Sequence, residues 1–247
     1  MFQGKIKADF IKTIIDATAI LVDEAKFKLM LDGVYGRTVD PAHVGMIDFK
    51  LKKEAFEEYE NKEESEIGID LEKLKGILKI AGAEDIVEMN YQKEEGRLIV
   101  TVRNITRKIS LLDTSEMHDT KIPSLDLPAE IVVATEQIHQ AIRAAEAISD
   151  HITLIADKDK FEMVSEGDTD VVEMQIPKEQ LYSLKCEEKV KSMFPLDYLS
   201  DMIKIARGAS DEITINLGNN YPVRLSFETA GGYIKIVYLL APRIESE

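Results

Sequence analysis

The chain has one cysteine, Cys186, no tryptophan and four histidines in 247 residues. A lone cysteine excludes an intramolecular disulfide and a cysteine metal cluster, and sets the expectation of a reducing compartment. His43, His118, His139 and His151 show no metal-ligand spacing. No apolar run approaches the ~18 residues of a membrane helix. The first residues, MFQGKIKADF, carry charge where a secretory signal has its apolar stretch. Glycine loops that cradle phosphate, G-x-x-x-x-G-K or strand-borne G-x-G-x-x-G, are missing. DKDKF, from Asp157, begins like a calcium loop, but Phe161 stands at the third ligand position and no glycine follows. DPAH, at Asp40–His43, sets a carboxylate near a histidine, yet no serine or cysteine sits in an activated motif. These absences argue against an enzyme and give the expectation of no cofactor and no metal. Unrecognised carboxylates on an acidic α+β fold stay open as an enzyme alternative.

Positive charge is scarce as well. Lys and Arg number 31 against 46 Asp and Glu, a net charge of −15. Such a chain does not grip nucleic acid over its whole surface. Its 45% hydrophobic content can fill a core, in one large domain or two small ones.

What is present is a repeat. Leu71 and Leu74 match Leu196 and Leu199, and LKIAG at Leu78–Gly82 matches IKIAR at Ile203–Arg207, at one offset of 125. Each is followed by an acidic turn and strand text, DIVEMNY or EITINL. Upstream, Asp9–Leu21 reads as a helix with Phe10, Ile14, Ala17 and Leu21 apolar, and Thr135–Ser149 does so with Ile138, Ala141, Ile142, Ala145 and Ile148. Turns are expected near Asp157, Gly96, Asn219 and Gly231. Each half therefore reads helix, short strands, helix, short strands. Asp113–Pro128, with two prolines and four acids, reads as the linker. The expected division is residues 1–112, a connector at 113–128, and residues 129–247.

The four candidate helices sum to zero charge, so the remaining chain holds all of the −15. Lys75 and Lys79 are spaced i,i+4, Lys204 and Arg207 i,i+3, and Lys79 and Lys204 are equivalent under the repeat. Such cations suit contact with phosphates without base readout; from the residues alone, an ordinary solvated helix face is the favoured explanation, since surface lysines are common.

Four segments, in this order and over the whole length, carry a family resemblance: VDPAHVGMIDFKL (Val39–Leu51), LKIAGAEDIV (Leu78–Val87), the acidic linker, and LLAPRIE (Leu239–Glu245). Together they resemble the proliferating cell nuclear antigen sliding clamps, the archaeal type above all, with YLSDMIK at Tyr198–Lys204. The resemblance implies two similar α+β domains per chain, a homotrimeric ring, helices lining the hole and antiparallel sheets outside. It implies sequence-independent binding of double-stranded DNA, no catalysis, and tethering of DNA polymerase. Further implied partners are a clamp loader of the replication factor C type, and a flap endonuclease and DNA ligase bound through short peptide motifs. No membrane association is implied. The location would be the cytoplasm with the nucleoid, or the nucleus in a eukaryote. A checkpoint-type clamp subunit that assembles with paralogous chains is the alternative.

By the same resemblance the hole-lining cations are Lys12, Lys79, Arg143 and Lys204, and helix position adds Lys73, Lys75 and Arg207. Gly76 and Asp197 stand where relatives often carry a base, which thins the set of phosphate-binding cations. The implied partner pocket draws on His43, Val44 and Met46, on Pro222, and on Leu239, Leu240, Ala241, Pro242 and Ile244. The linker adds Met117, Ile122, Pro123 and Leu125. Ring closure would pair an edge strand in NITRKISLL with one in DVVEMQI, with Arg107 and Lys108 facing Glu173.

Overall fold

Side chains that alternate buried and exposed build most of this chain into strands, and four helical stripes interrupt them. The computed structural model describes residues 2–117 and 119–243. In chain order the first elements are β1 (Phe2–Lys7), α1 (Ala8–Ala19), β2 (Glu24–Leu29), β3 (Gly33–Val39), β4 (Gly45–Lys52), β5 (Phe56–Asn61), β6 (Ser65–Asp70), α2 (Leu71–Leu78), β7 (Ile86–Gln92), β8 (Arg97–Val102) and β9 (Ile105–Ser110). There follow β10 (Ala129–Ala134), α3 (Thr135–Ala145), β11 (His151–Ala156), β12 (Lys160–Glu166), β13 (Val171–Pro177), β14 (Ser183–Lys185), β15 (Val190–Pro195), α4 (Leu196–Ala209), β16 (Glu212–Leu217), β17 (Val223–Thr229) and β18 (Ile234–Leu240). The second series repeats the first element for element, the α+β duplication read from the helices.

The chain divides into two units, residues 1–121 with 228–236, and 122–227 with 237–247. In the first, β5-β1-β7-β8-β9 form one antiparallel sheet, and β4-β3-β2-β6 a second, with the start of β18 beside β4. In the second, β14-β10-β16-β17 run on into the end of β18, and β13-β12-β11-β15 form the other sheet. The strand orders correspond one to one. Within each unit the two helices pack on each other, α1 against α2 and α3 against α4. No helix of the described residues is long and apolar enough to cross a membrane.

Helix stripes depart from expectation in detail. On α1 the buried face is Ala8, Ile11, Ile14, Ile15, Ala17 and Thr18, and Phe10 is only half-buried. Ile11, Ile14, Ile15 and Thr18 recur at i, i+3, i+4 and i+7, which makes the better stripe. Asp70 caps α2 by accepting from the Lys73 N–H (3.0 Å). That helix stops at Leu78, where the Ile80 and Ala81 N–H groups bond back only three residues, to Ile77 (3.4 Å) and Leu78 (3.1 Å).

Two local devices hold the first unit's second sheet. Gly36 on β3 pairs with Phe27 on one side and Phe49 on the other. The two rings meet edge to face across it, with centroids 5.0 Å apart. A Cβ at Gly36 would lie 2.2 Å from the Phe49 ring. Asp40, 3% exposed, organises the turn from β3 to β4. Its carboxylate accepts from the N–H groups of Ala42 (3.0 Å), Val44 (2.7 Å) and Gly45 (2.6 Å), and His43 takes a left-handed φ of 57°. The carboxylate of DPAH is thus a turn organiser.

Two outcomes follow for chemical denaturation at fixed protein concentration. Gly36→Ala lowers stability by about 1–3 kcal/mol through overpacking against Phe49. Asp40→Ala lowers it by about 1–3 kcal/mol through unmet buried N–H groups, and Asp40→Asn by less, because its amide oxygen still accepts.

Candidate nucleic-acid and partner surfaces

In the first unit, α1 and α2 bring three of the proposed cations together. A groove of about 310 Å³ is lined by Lys12, Ile15, Asp16, Lys75, Leu78 and Lys79. Lys12 donates to the Ala81 carbonyl (2.5 Å), and Lys75 lies 3.6 Å from both Asp16 and Glu72. Lys73 lies outside this groove, at the first turn of α2, 2.7 Å from the cap carboxylate of Asp70. That cation and the backbone N–H of Lys73 hold the Asp70 carboxyl below its ordinary range. In the second unit Lys204 lies 3.3 Å from Asp201 and 4.0 Å from Glu146. Arg207 bridges from α4 to Glu136 on α3, which depresses the Glu136 carboxyl. Arg143 is exposed in the last turn of α3. Most of these cations already hold an acid or a carbonyl in exposed pairs. Such pairs are worth roughly 0–1 kcal/mol and exchange readily for another anion.

The proposed partner residues divide between the units. His43 is exposed at its turn, Val44 half-buried, and Met46 8% exposed in β4. On the connector Met117 is half-buried and belongs to the first unit. In the second unit Ile122 and Pro123 are exposed, and Leu125, Pro222, Ala241 and Pro242 are half-buried. Leu239 keeps only 6% of its surface, and Leu240 none. Leu240 is therefore a core residue, since a side chain without surface cannot meet a partner. Ile244 lies outside the described residues.

The tail has a counterpart. In the first unit the Leu112 N–H, just past β9, donates to the Gly68 carbonyl of β6 (2.9 Å). In the second, the Arg243 N–H, just past β18, donates to the Met193 carbonyl of β15 (2.8 Å). Gly68 and Met193 are related by the same offset of 125. The residues that follow β9 and β18 are thus equivalent segments, each covering a sheet edge of its own unit.

Strand alternation sets the faces on which the proposed interface residues lie. On β9, Arg107 shares a face with buried Ile109, and its Nη1 donates to the Lys73 carbonyl on α2 (2.8 Å). On β13, Glu173 points away from the face of Val172, Met174 and buried Ile176, and pairs with Gln175. Arg107 is thus turned to the helix side of its own sheet, and Lys108 to the opposite face of β9. Sequence reading missed Ile105 and Val171, which open these two strands with 54% and 64% of their surface exposed. Their signal was an apolar residue beginning a polar edge strand.

Another cluster went unread. Asp119 lies 2.7 Å from Lys26 and 2.8 Å from Lys28, and those two lysines, the nearer first, hold its carboxyl down at about 2.

Comparison with known proteins agrees with this architecture. The family models for the N-terminal and C-terminal domains of proliferating cell nuclear antigen match residues 1–130 and 121–243. The chain is 43% identical to a DNA polymerase sliding clamp of Methanococcoides burtonii and 39% to that of Archaeoglobus fulgidus, over the full length of both partners. It superposes on the A. fulgidus protein solved with the C-terminal region of FEN-1 at a TM-score of 0.95, with 38% identity and full coverage of both chains. The Thermococcus kodakaraensis protein gives a TM-score of 0.90 at 26% identity, covering 98% of this chain and 100% of that one. With both domain models matched and full-length relatives above 30% identity, this chain belongs to the proliferating cell nuclear antigen family.

Proposed function

We propose that this chain is a DNA sliding clamp that works as a closed ring of three copies around duplex DNA, tethering DNA polymerase without catalysis of its own. The observation that carries the ring is an asymmetry in the repeat. β4 has the start of β18 beside it in the first unit. Its counterpart β13, and the β18 counterpart β9, end their sheets with no described strand beyond them. β9 of one copy then suits β13 of the next, a head-to-tail contact of the kind that closes into rings. Exposed Ile105, on the Arg107 face of β9, and exposed Val171, on the Glu173 face of β13, each leave apolar surface at their edge, and Lys108 with Glu173 supplies charge.

The groove cations Lys12, Lys75 and Lys79, with Lys73, Arg143, Lys204 and Arg207, are the proposed phosphate ligands. They read no bases, and with Gly76 and Asp197 adding none, the grip stays weak enough to slide. His43, Val44, Met46, Leu239, Pro222, Ala241, Pro242 and the connector residues Met117, Ile122, Pro123 and Leu125 are the proposed docking set for short peptide motifs. The structure of the A. fulgidus relative with a FEN-1 segment supports a flap endonuclease as one partner. A clamp loader and DNA ligase complete the proposed set of partners. Full-length identity to chains named sliding clamps leaves the checkpoint-type reading without support.

With a clamp loader and a nicked circular DNA, the protein is expected to stay bound through gel filtration and to fall off when the circle is cut. Equal retention on linear DNA would reject encirclement. For binding to short duplexes, Lys12→Ala, Lys79→Ala and Lys204→Ala each flatten the log–log salt slope by about 0.9 for every phosphate that is no longer neutralised. Unchanged slopes would remove those residues from the phosphate-binding set.

A further inference from the structure

β2 alternates buried Ala25, Phe27 and Leu29 with Lys26 and Lys28, so both lysines stand on the outer face of the first unit's second sheet. Register places Glu66 of β6 beside Lys28. Its carboxylate lies 3.5 Å from Lys26 and 3.4 Å from Lys28. The connector then delivers Asp119 between the same two ammonium groups, at 2.7 and 2.8 Å. One residue on, the Thr120 carbonyl accepts from Arg37 Nη1 (3.2 Å), and Arg37 is itself held by Asp48 (2.8 Å). The Lys26 side chain is only 11% exposed, so this pair is shielded more than a free surface bridge.

We infer that Asp119 is a positioning residue for partner docking, clasping the first half of the connector to Lys26 and Lys28 so that its apolar residues are presented in one geometry. The inference rests on the docking role proposed for the connector. Two carboxylates serve two lysines here, so losing Asp119 leaves both ammonium groups beside Glu66 and the fold intact. A neutral residue at 119 gives up the ionic hold while keeping the size of the side chain. The connector then samples geometries that do not accept a peptide, and apparent affinity falls in proportion to the competent fraction. Lys26 and Lys28 hold the Asp119 carboxyl down at about 2, so it is ionised in ordinary buffers, and salt rather than pH loosens the clasp there.

By the family resemblance, partners dock through a short motif with a glutamine and an aromatic pair; the test is titration of the whole protein with a labelled synthetic peptide of that kind, at about 0.05 M and about 1 M salt, where the Debye length shrinks to roughly 3 Å. Asp119→Asn is expected to bind about five-fold more weakly than the native chain at low salt. The two converge at high salt, and Asp119→Glu restores affinity and salt dependence. Amide exchange over residues 114–121, measured without peptide, is faster in Asp119→Asn, while oligomer mass and retention on circular DNA are unchanged. Equal affinity and equal salt dependence in Asp119→Asn and the native chain would overturn the inference. So would native-rate exchange in the variant. If the native chain itself binds no peptide, the docking role fails, and the inference falls with it. Exchange without peptide separates that failure from absence of the clasp.

Discussion

A sheet edge is a row of backbone N–H and C=O groups without partners, and the architecture of this chain is a set of answers to that problem. β5 carries exposed Glu57, Glu58 and Glu60, charges that discourage another strand. Its counterpart β14 is only three residues long. β6 is met by Leu112, the residue just before the connector, and β15 by the tail at Arg243. β4 lies beside the start of β18. The remaining ends, β9 and β13, begin with exposed apolar residues and are neither short nor bridged by a following segment. An assembly that pairs them leaves no unprotected edge.

Charge follows the same division of labour. The strands and loops hold the net charge of −15 while the helices balance near zero. Acids beside the helix cations do not abolish the affinity of those cations for phosphate, since exposed ion pairs are weak and salt-screened. With Lys75 and Lys204 as the proposed phosphate ligands, Asp16 and Asp201 beside them would lower the hold on DNA without removing it. The proposed ring, which must move along a duplex, would gain from that moderation.

Periodicity and equivalence were legible in the sequence, and direction was not. The offset of 125 that relates Lys79 to Lys204 also relates Gly68 to Met193, so the repeat read from the helices extends to two covered edges that the sequence reading did not name. Ile138, Ala141, Ile142 and Ala145 stood out because helical spacing survives without tertiary context, and all four are buried. Arg107 shows the limit. Strand alternation has a period of two, but which phase faces a helix is set only once the strand has paired, and here it turned Arg107 to the Lys73 carbonyl on α2. DPAH suggested a carboxylate near a histidine, because spacing cannot show that Asp40 curls back onto three N–H groups. Asp119 meets Lys26 and Lys28 across more than ninety residues, a separation that no local pattern spans.

The tail shows the same lesson from the other side. IVYLL forms the last strand and Leu240 closes into core, while Ala241 and Pro242 leave the sheet and Arg243 returns to β15. An apolar segment near the end is thus the counterpart of the residues that follow β9. The central claim, that β9 and β13 find each other between copies, is tested most directly by mass in solution. Light scattering at micromolar concentration and moderate salt should give three times 27.8 kDa. A stable mass of one chain under those conditions, with both edges left open, would contradict it.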